Sequence, residues 1–251
     1  MGIIIRNMNA TTGLSHLRIK PTTMKFEHPS QFVNIPFGSV LDFGKDYVNA
    51  ENHQVTFHIS FKMNSITGSG YEVLAKAGGE SRGWVLYLDN GEFCASVNNG
   101  SSDRTINTNF YPVIDKWYNF YVMFNGTTGS MRVYENNSII RRYDDFSPFE
   151  DFNGVHNFTI GGTRLNVPIG SGITSTGYDF FTDMQLHRFR FWSRELLESE
   201  IPLANQEQVT DSMVIDLKTE NADPENDIWN NAVQGERDAI VRREPISIIN
   251  Y

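Results

Sequence analysis

Hydrolysis of a glycosidic bond commonly uses two carboxylates held a set distance apart, and two acidic pairs in this sequence invite that reading. Asp144-Asp145 and Glu150-Asp151 lie close together, but Phe146, Pro148, Phe149 and Phe152 run among them. An aromatic, proline-containing stretch reads as a loop, and its acids as solvated charges. Nucleophilic chemistry has less support. No Gly-x-Ser-x-Gly stands in a strand-to-helix context, and Gly68-Ser69-Gly70 and Gly170-Ser171-Gly172 suit flexible turns. No glycine run matches a phosphate loop or a dinucleotide fingerprint. His16, His28, His53, His58, His156 and His187 are dispersed without HExxH or CxxC spacing, so zinc has no ligand set. Asp223, Glu225 and Asp227 are weak calcium candidates, because their spacing lacks an EF-hand pattern.

Recognition is the chemistry that remains. His58, Tyr87, Asn119, Tyr121, Arg132 and Tyr134 each stand, by strand alternation, opposite the apolar residues of their own segments. Tyrosine rings stack on sugars, and Arg and Asn hydrogen-bond hydroxyls, so these six are a candidate glycan- or protein-binding sheet face. The alternative is that they cover an outer sheet or sit under loops. The polar stretch 164–178, rich in Gly, Ser and Thr, is a second candidate for contacts.

The elements that position these residues are strands. Val55, Phe57, Ile59, Phe61 and Met63 alternate strictly with Thr56, His58, Ser60 and Lys62, which marks a half-buried strand. The pattern recurs in short runs punctuated by Asn and Gly, including Trp84-Val85-Leu86-Tyr87-Leu88 before Asp89-Asn90-Gly91. Such spacing reads as an all-β sandwich or barrel. The expected core holds Phe57, Ile59, Phe61, Leu86, Phe120, Val122, Val133, Ile160, Phe189 and Phe191. One short helix is expected at 195–201, with Ser193 as N-cap and Pro202 as its stop. Val214-Ile215-Asp216-Leu217 and Ala239-Ile240-Val241 read as further strands, with a polar loop at 221–227 between them.

Composition sets the outer bounds. The 251 residues can bury one large core, and all-β sandwiches of this length often stay one domain. With Lys+Arg 21 against Asp+Glu 30, the net charge is −9, a poor match to a phosphate backbone, so no nucleic acid is expected. Cys94 is the only cysteine and allows no intrachain disulfide. No apolar run approaches a membrane span. Ile3-Ile4-Ile5 is too short for a secretory h-region, so no signal peptide is expected.

From residue 24 to about residue 203 the order of segments resembles the laminin-G-like and pentraxin-like group of the concanavalin-A-like superfamily. Gln31-Phe32-Val33-Asn34-Ile35-Pro36 is similar to an early Y-V-x-I-P strand, and residues 55–63 to F-T-V-S-x-W-V-K. Leu74-Ala75-Lys76 and then Gly83-Trp84-Val85-Leu86-Tyr87-Leu88 resemble I-L-S-K followed by G-Y-x-L-Y-L. Residues 116–126 resemble K-W-H-H-V-A-V-T-Y-D-G, Phe158-Thr159-Ile160-Gly161-Gly162 resembles L-x-I-G-G, and Phe189-Arg190-Phe191-Trp192 resembles V-R-I-W. The resemblance implies an all-β, two-sheet antiparallel jelly-roll sandwich with one short helix. The superfamily includes lectins, glycanases, adhesion domains and virion proteins, so fold alone leaves function open. Its glycanases carry Glu-x-Asp-x-x-Glu on one strand, a string missing here, which points to a non-catalytic module. Its calcium sites often use an acidic pair where this chain has His187-Arg188, so no cofactor is expected, calcium being the one candidate.

These readings combine into one expectation. Residues 1–23 form an N-terminal arm, 24–206 the sandwich, and 207–251 an extension that completes the sandwich or docks on a partner. Ile3, Ile4 and Ile5 at one end, and Ile248, Ile249 and Tyr251 at the other, are β-branched or aromatic residues suited to pairing with neighbouring subunits. The expected function is a binding or assembly component of a bacteriophage virion, made in the host cytoplasm, contacting other protein subunits and in some settings a glycan. The alternative is a free or cell-surface lectin-like module outside cells, with a glycanase a distant third.

Overall fold

Alternation along each strand determines which residues meet. Val55, Phe57, Ile59, Phe61 and Met63 all turn inward and are fully buried in one core, because successive side chains of a strand point to opposite faces. The computed structural model describes residues 24–26, 40–42, 54–68, 70–78, 82–99, 103–144, 158–163, 180–218, 221–223, 228–234 and 238–242. Within them the strands are β1 (Met24–Phe26), β2 (Val40–Asp42), β3 (Gln54–Met63), β4 (Tyr71–Gly78), β5 (Arg82–Asp89) and β6 (Glu92–Asn99). There follow β7 (Asp103–Asn107), β8 (Trp117–Asn125), β9 (Ser130–Glu135), β10 (Ser138–Asp144), β11 (Thr159–Ile160) and β12 (Gly162–Thr163). The last six are β13 (Phe180–Phe181), β14 (Met184–Trp192), β15 (Met213–Lys218), β16 (Ala222–Asp223), β17 (Ile228–Trp229) and β18 (Ala239–Arg242).

These strands build two antiparallel sheets that sandwich the core. The first sheet has seven strands in the order β1-β14-β3-β8-β9-β10, with β15 sharing the outer edge of β14 with β1. The second has nine, in the order β16-β17-β18-β2-β11-β4-β5-β6-β7. A two-stranded ribbon, β12-β13, packs against β4. Tight turns set the register. Asp89 pairs with Glu92, which leaves Asn90-Gly91 as a two-residue turn with both φ angles positive, 48° and 85°. Asn and Gly are the residues that tolerate this hairpin geometry. The C-terminal region contributes to both layers: β15 pairs with β14, and β18 pairs with β2. Ala222–Asp223 forms a short strand inside the stretch that the sequence reads as a loop.

Aromatic contacts join the two layers. Phe93 of the second sheet stacks on Phe120 of the first, with ring centroids 4.0 Å apart and 6° between planes. Phe57 of the first lies 3.9 Å from Trp84 of the second. All the core residues named from the sequence lie in this one cluster. The helix differs from expectation. A 3-10 turn at Glu198–Glu200 leads into α1 (Ile201–Asn205), and Pro202 sits in the first turn of α1 instead of ending it. There its missing N–H costs no intrahelical bond.

Phe120 is fully buried among Phe61, Phe93, Phe110 and Tyr118. Phe120→Ala is expected to lower stability by about 3–5 kcal/mol through cavity formation, measured by urea denaturation. A loss below about 1 kcal/mol would contradict this core register.

Candidate functional site

The outer face of the first sheet carries most of the residues that the sequence nominates for binding. Alternation does turn His58, Asn119, Tyr121, Arg132 and Tyr134 away from the core, but a second layer covers much of that face. After β14 the chain doubles back, and Leu196, Ile201, Ala204 and Val209 pack on Tyr121, Met123, Tyr134 and Trp192. His58, Tyr121 and Tyr134 are therefore buried. The expectation that these residues form an exposed binding face is corrected: they are the floor beneath a cover spanning residues 193–212.

Polar groups fasten this cover at several points. Arg190 donates from Nε to His58 Nδ1 at 3.1 Å, from one terminal nitrogen to the Ala204 carbonyl at 2.5 Å, and from the other to the Tyr121 hydroxyl at 2.9 Å. The Tyr121 hydroxyl donates to Asn205 Oδ1 at 2.7 Å. Burial, reinforced by Arg190, pushes His58 well below the usual histidine range, so it is a neutral acceptor. Thr56 Oγ1 donates to the Arg194 carbonyl and accepts from the Leu196 N–H, both at 2.9 Å. Arg132 pairs with Glu195 at 2.9 Å, so this candidate ligand contact is already engaged by the cover. At the far end Arg188 binds Asp216 through two nitrogens, both at 2.7 Å. Hydrogen bonds from Lys218 and then Arg188 hold Glu207 down at about 2.

The cover stops short of one corner. Along β8 the outward residues run from Met123 and Tyr121 beneath it, through Asn119 at its rim, to Trp117 beyond. Trp117 is 39% exposed. Across the sheet Trp117 pairs with Lys62 of β3, and Lys62 with Gln185 of β14. Lys62 Nζ lies 5.8 Å from the Trp117 ring centroid and 3.6 Å from Asp115. The β14 register shifts between Leu186 and Arg188, a bulge that presents exposed His187 edge-on to Trp117 at 6.0 Å. Gln185 Nε2 donates to Asn64 Oδ1, and Asn64 Nδ2 to Asp183 Oδ1, each at 2.8 Å. The corner is thus an exposed indole bordered by a cation, an imidazole, a carboxylate and amides held in fixed positions. Sequence reasoning does not single out Trp117 or Lys62. The signal was present: they stand two residues before Asn119 and four after His58, hence on the same face.

No family model and no curated protein matches the chain. Solved structures do. The chain is similar to a protein of Bacteroides ovatus named for carbohydrate binding, at 14% identity and a TM-score of 0.59, covering 89% of this chain and 58% of that one. The likeness shows the fold, a two-sheet antiparallel jelly-roll sandwich. Weaker likenesses are to the heptameric SAP-like pentraxin of Limulus polyphemus (16% identity, TM-score 0.46, 70% of this chain and 78% of that) and to the sialyllactose-bound CBM40 of the Ruminococcus gnavus IT-sialidase. The CBM40 likeness has 15% identity and a TM-score of 0.47, over 72% of this chain and 97% of that.

On the second sheet, the outward residues of β4, β5 and β6 form a small buried cluster of their own. Tyr87, the sixth candidate, is buried with Val73, Val85 and Cys94, so it too is corrected. Burial raises its phenol and pushes the Cys94 thiol up to about 12, which makes Cys94 a poor nucleophile. Among the described residues no group of three His, Cys, Asp or Glu could hold a metal ion. Glu225, Asp227, the side chain of Asp223, the loop 164–178 and the acids Asp145, Glu150 and Asp151 lie outside the described residues. So do Ile3, Ile4, Ile5, Ile248, Ile249 and Tyr251.

Lys76 is a buried cation on this face. It is 2% exposed, its amine has no hydrogen-bond partner among the described residues, and burial lowers it to about 7. Below that value the amine is charged in both folded and unfolded chains, and the burial cost is full. Between about 7 and the ordinary 10.5, folding releases the proton and the cost shrinks as pH rises. Lys76→Met should therefore stabilise the fold, most below pH 7 and least near pH 10. Urea denaturation across that range checks it; a gain independent of pH would contradict the assignment.

Proposed function

We propose that this chain is a non-catalytic glycan-recognition module of the laminin-G-like and pentraxin-like kind, and that it binds at the open corner of its first sheet. The exposed Trp117 indole carries the reading. A flat aromatic surface stacks on the apolar face of a sugar ring, and bordering donors and acceptors select hydroxyl orientation. Lys62, His187 and Gln185 supply donors, and Asp115 supplies an acceptor, around that ring. The carbohydrate binding named for the Bacteroides ovatus neighbour is extended to this chain because of Trp117 and not because of the likeness. The virion-assembly role rests on terminal residues outside the described set, so glycan recognition takes precedence over it.

A glycan array followed by calorimetry tests the proposal. Trp117→Ala is expected to weaken the tightest array glycan by about tenfold or more, since truncating a central Trp anchor costs roughly 2 kcal/mol. Its melting temperature should stay close to that of the wild type, because the side chain is partly exposed and outside the core. The bound glycan should be recovered intact. Array silence, or equal binding by Trp117→Ala, would refute the site. Turnover abolished by one Asp or Glu substitution would refute the non-catalytic reading.

A further inference from the structure

The chain as a whole is acidic, with a net charge of −9, yet the open corner is set with cations. Read outward from Trp117, one row of the first sheet runs Trp117, Lys62, Gln185 and Lys25, each paired with the next across the ladder. Lysine fills alternate positions of that row. His187 stands exposed beside it, presented to the indole by the β14 bulge. Bulges commonly re-aim a side chain next to a binding site. The nearby acids leave these cations weakly compensated. Asp183 already accepts hydrogen bonds from Asn64 and Ser65, both at 2.8 Å. Asp115 lies 3.6 Å from the Lys62 amine, too far for a hydrogen bond, and its side chain is 78% exposed. A surface pair of that kind contributes little, and a carboxylate that hydrogen-bonds the amine directly displaces it.

Lys62 is held more closely than most surface lysines. Its side chain is 18% exposed, and its amine stands 5.8 Å from the Trp117 ring centroid. The His187 ring stands 6.0 Å from the same centroid. By ordinary bond lengths, a carboxylate attached to a pyranose ring puts its oxygens roughly 3.5 Å from the ring's centre. A charge-assisted hydrogen bond spans about 2.8 Å more. A sugar stacked on the indole thus carries such a carboxylate into the range at which the amine and the imidazole stand. A neutral hydroxyl in that place would offset less of the cost of drying a mostly covered ammonium. We propose that the Trp117 corner selects acidic glycans, the carboxylate of the stacked sugar being held by the Lys62 amine and a ring N–H of His187. This rests on the glycan reading of the same corner and adds the class of sugar that it takes. An acidic chain does not attract an anion over long range, so selection is local and made by contact with these two side chains.

Calorimetry with charge-matched pairs separates the two ideas. The probes are sialyllactose, trigalacturonate and a hyaluronan tetrasaccharide, each measured beside its methyl ester, which keeps the sugars and removes the charge. At least one of the acids should bind, about tenfold or more tighter than its ester. In Lys62→Gln that preference should fall about tenfold, and in Lys62→Arg it should be kept, because the charge and the donors remain. His187→Gln should lower the preference by a smaller factor. Added salt should weaken the acid more than the ester. A melting temperature close to that of the wild type shows that each variant is folded. Equal affinity for acid and ester, or an acid preference that survives Lys62→Gln, would overturn the inference; the glycan site would stand if Trp117→Ala still lost binding. Binding of a neutral array glycan with none of the acids bound would overturn it in the same way. Silence toward the whole array and every probe would overturn the glycan reading itself.

Discussion

Arg190 places a guanidinium, 2% exposed, between the outer face of one sheet and the chain that folds back over it. A buried charge of this kind is tolerated only when its donors are used. Here each guanidinium nitrogen has an acceptor: His58, the Ala204 carbonyl and the Tyr121 hydroxyl. The ring of Trp192 lies 5.2 Å from the guanidinium carbon, and that of Tyr121 6.0 Å. Of these acceptors only the carbonyl belongs to the returning chain, so the charge can be satisfied only when residues 193–205 close over the sheet. That requirement makes the outer layer part of the fold rather than a removable flap.

The cover divides the labour of the first sheet. Where it lies, outward tyrosines and a histidine are buried in a second, smaller apolar layer and contribute to stability. Where it ends, the same face opens onto Trp117, Lys62 and His187. The bulge in β14 matters here because it presents His187 toward the indole without disturbing Leu186 and Phe189 in the core on either side. Stability therefore comes from the covered part and the sandwich core, leaving the corner free to hold aromatic and charged groups in water.

Much of this was readable from the chain. Strict alternation from Val55 to Met63 determined which side of β3 faces the core, and the Asn and Gly turns announced the hairpins that fix strand order. The six face residues were on the sides that alternation assigns them. The burial of His58, Tyr87, Tyr121 and Tyr134 was not readable, because a tyrosine under a cover and a tyrosine awaiting a sugar have the same local pattern. Only the partner chain segment distinguishes them, and Leu196, Ile201 and Ala204 are too few and too irregular to announce a second layer. Pro202 misled for a related reason: proline ends a helix and begins one equally well, and context decides. The β14 bulge leaves no mark in the sequence, so the meeting of His187 with Trp117 needed the structure.

Glycan-induced chemical-shift changes measured by NMR across the whole chain test the central claim most directly, that the cover confines recognition to one corner. Titration with the tightest-binding array glycan should move the Trp117 indole, Lys62, Gln185 and His187 signals, and leave those of Tyr87 and Lys76 in place. Perturbations centred instead on the second sheet around Lys76, Tyr87 and Ser96, with Trp117 unmoved, would contradict the account.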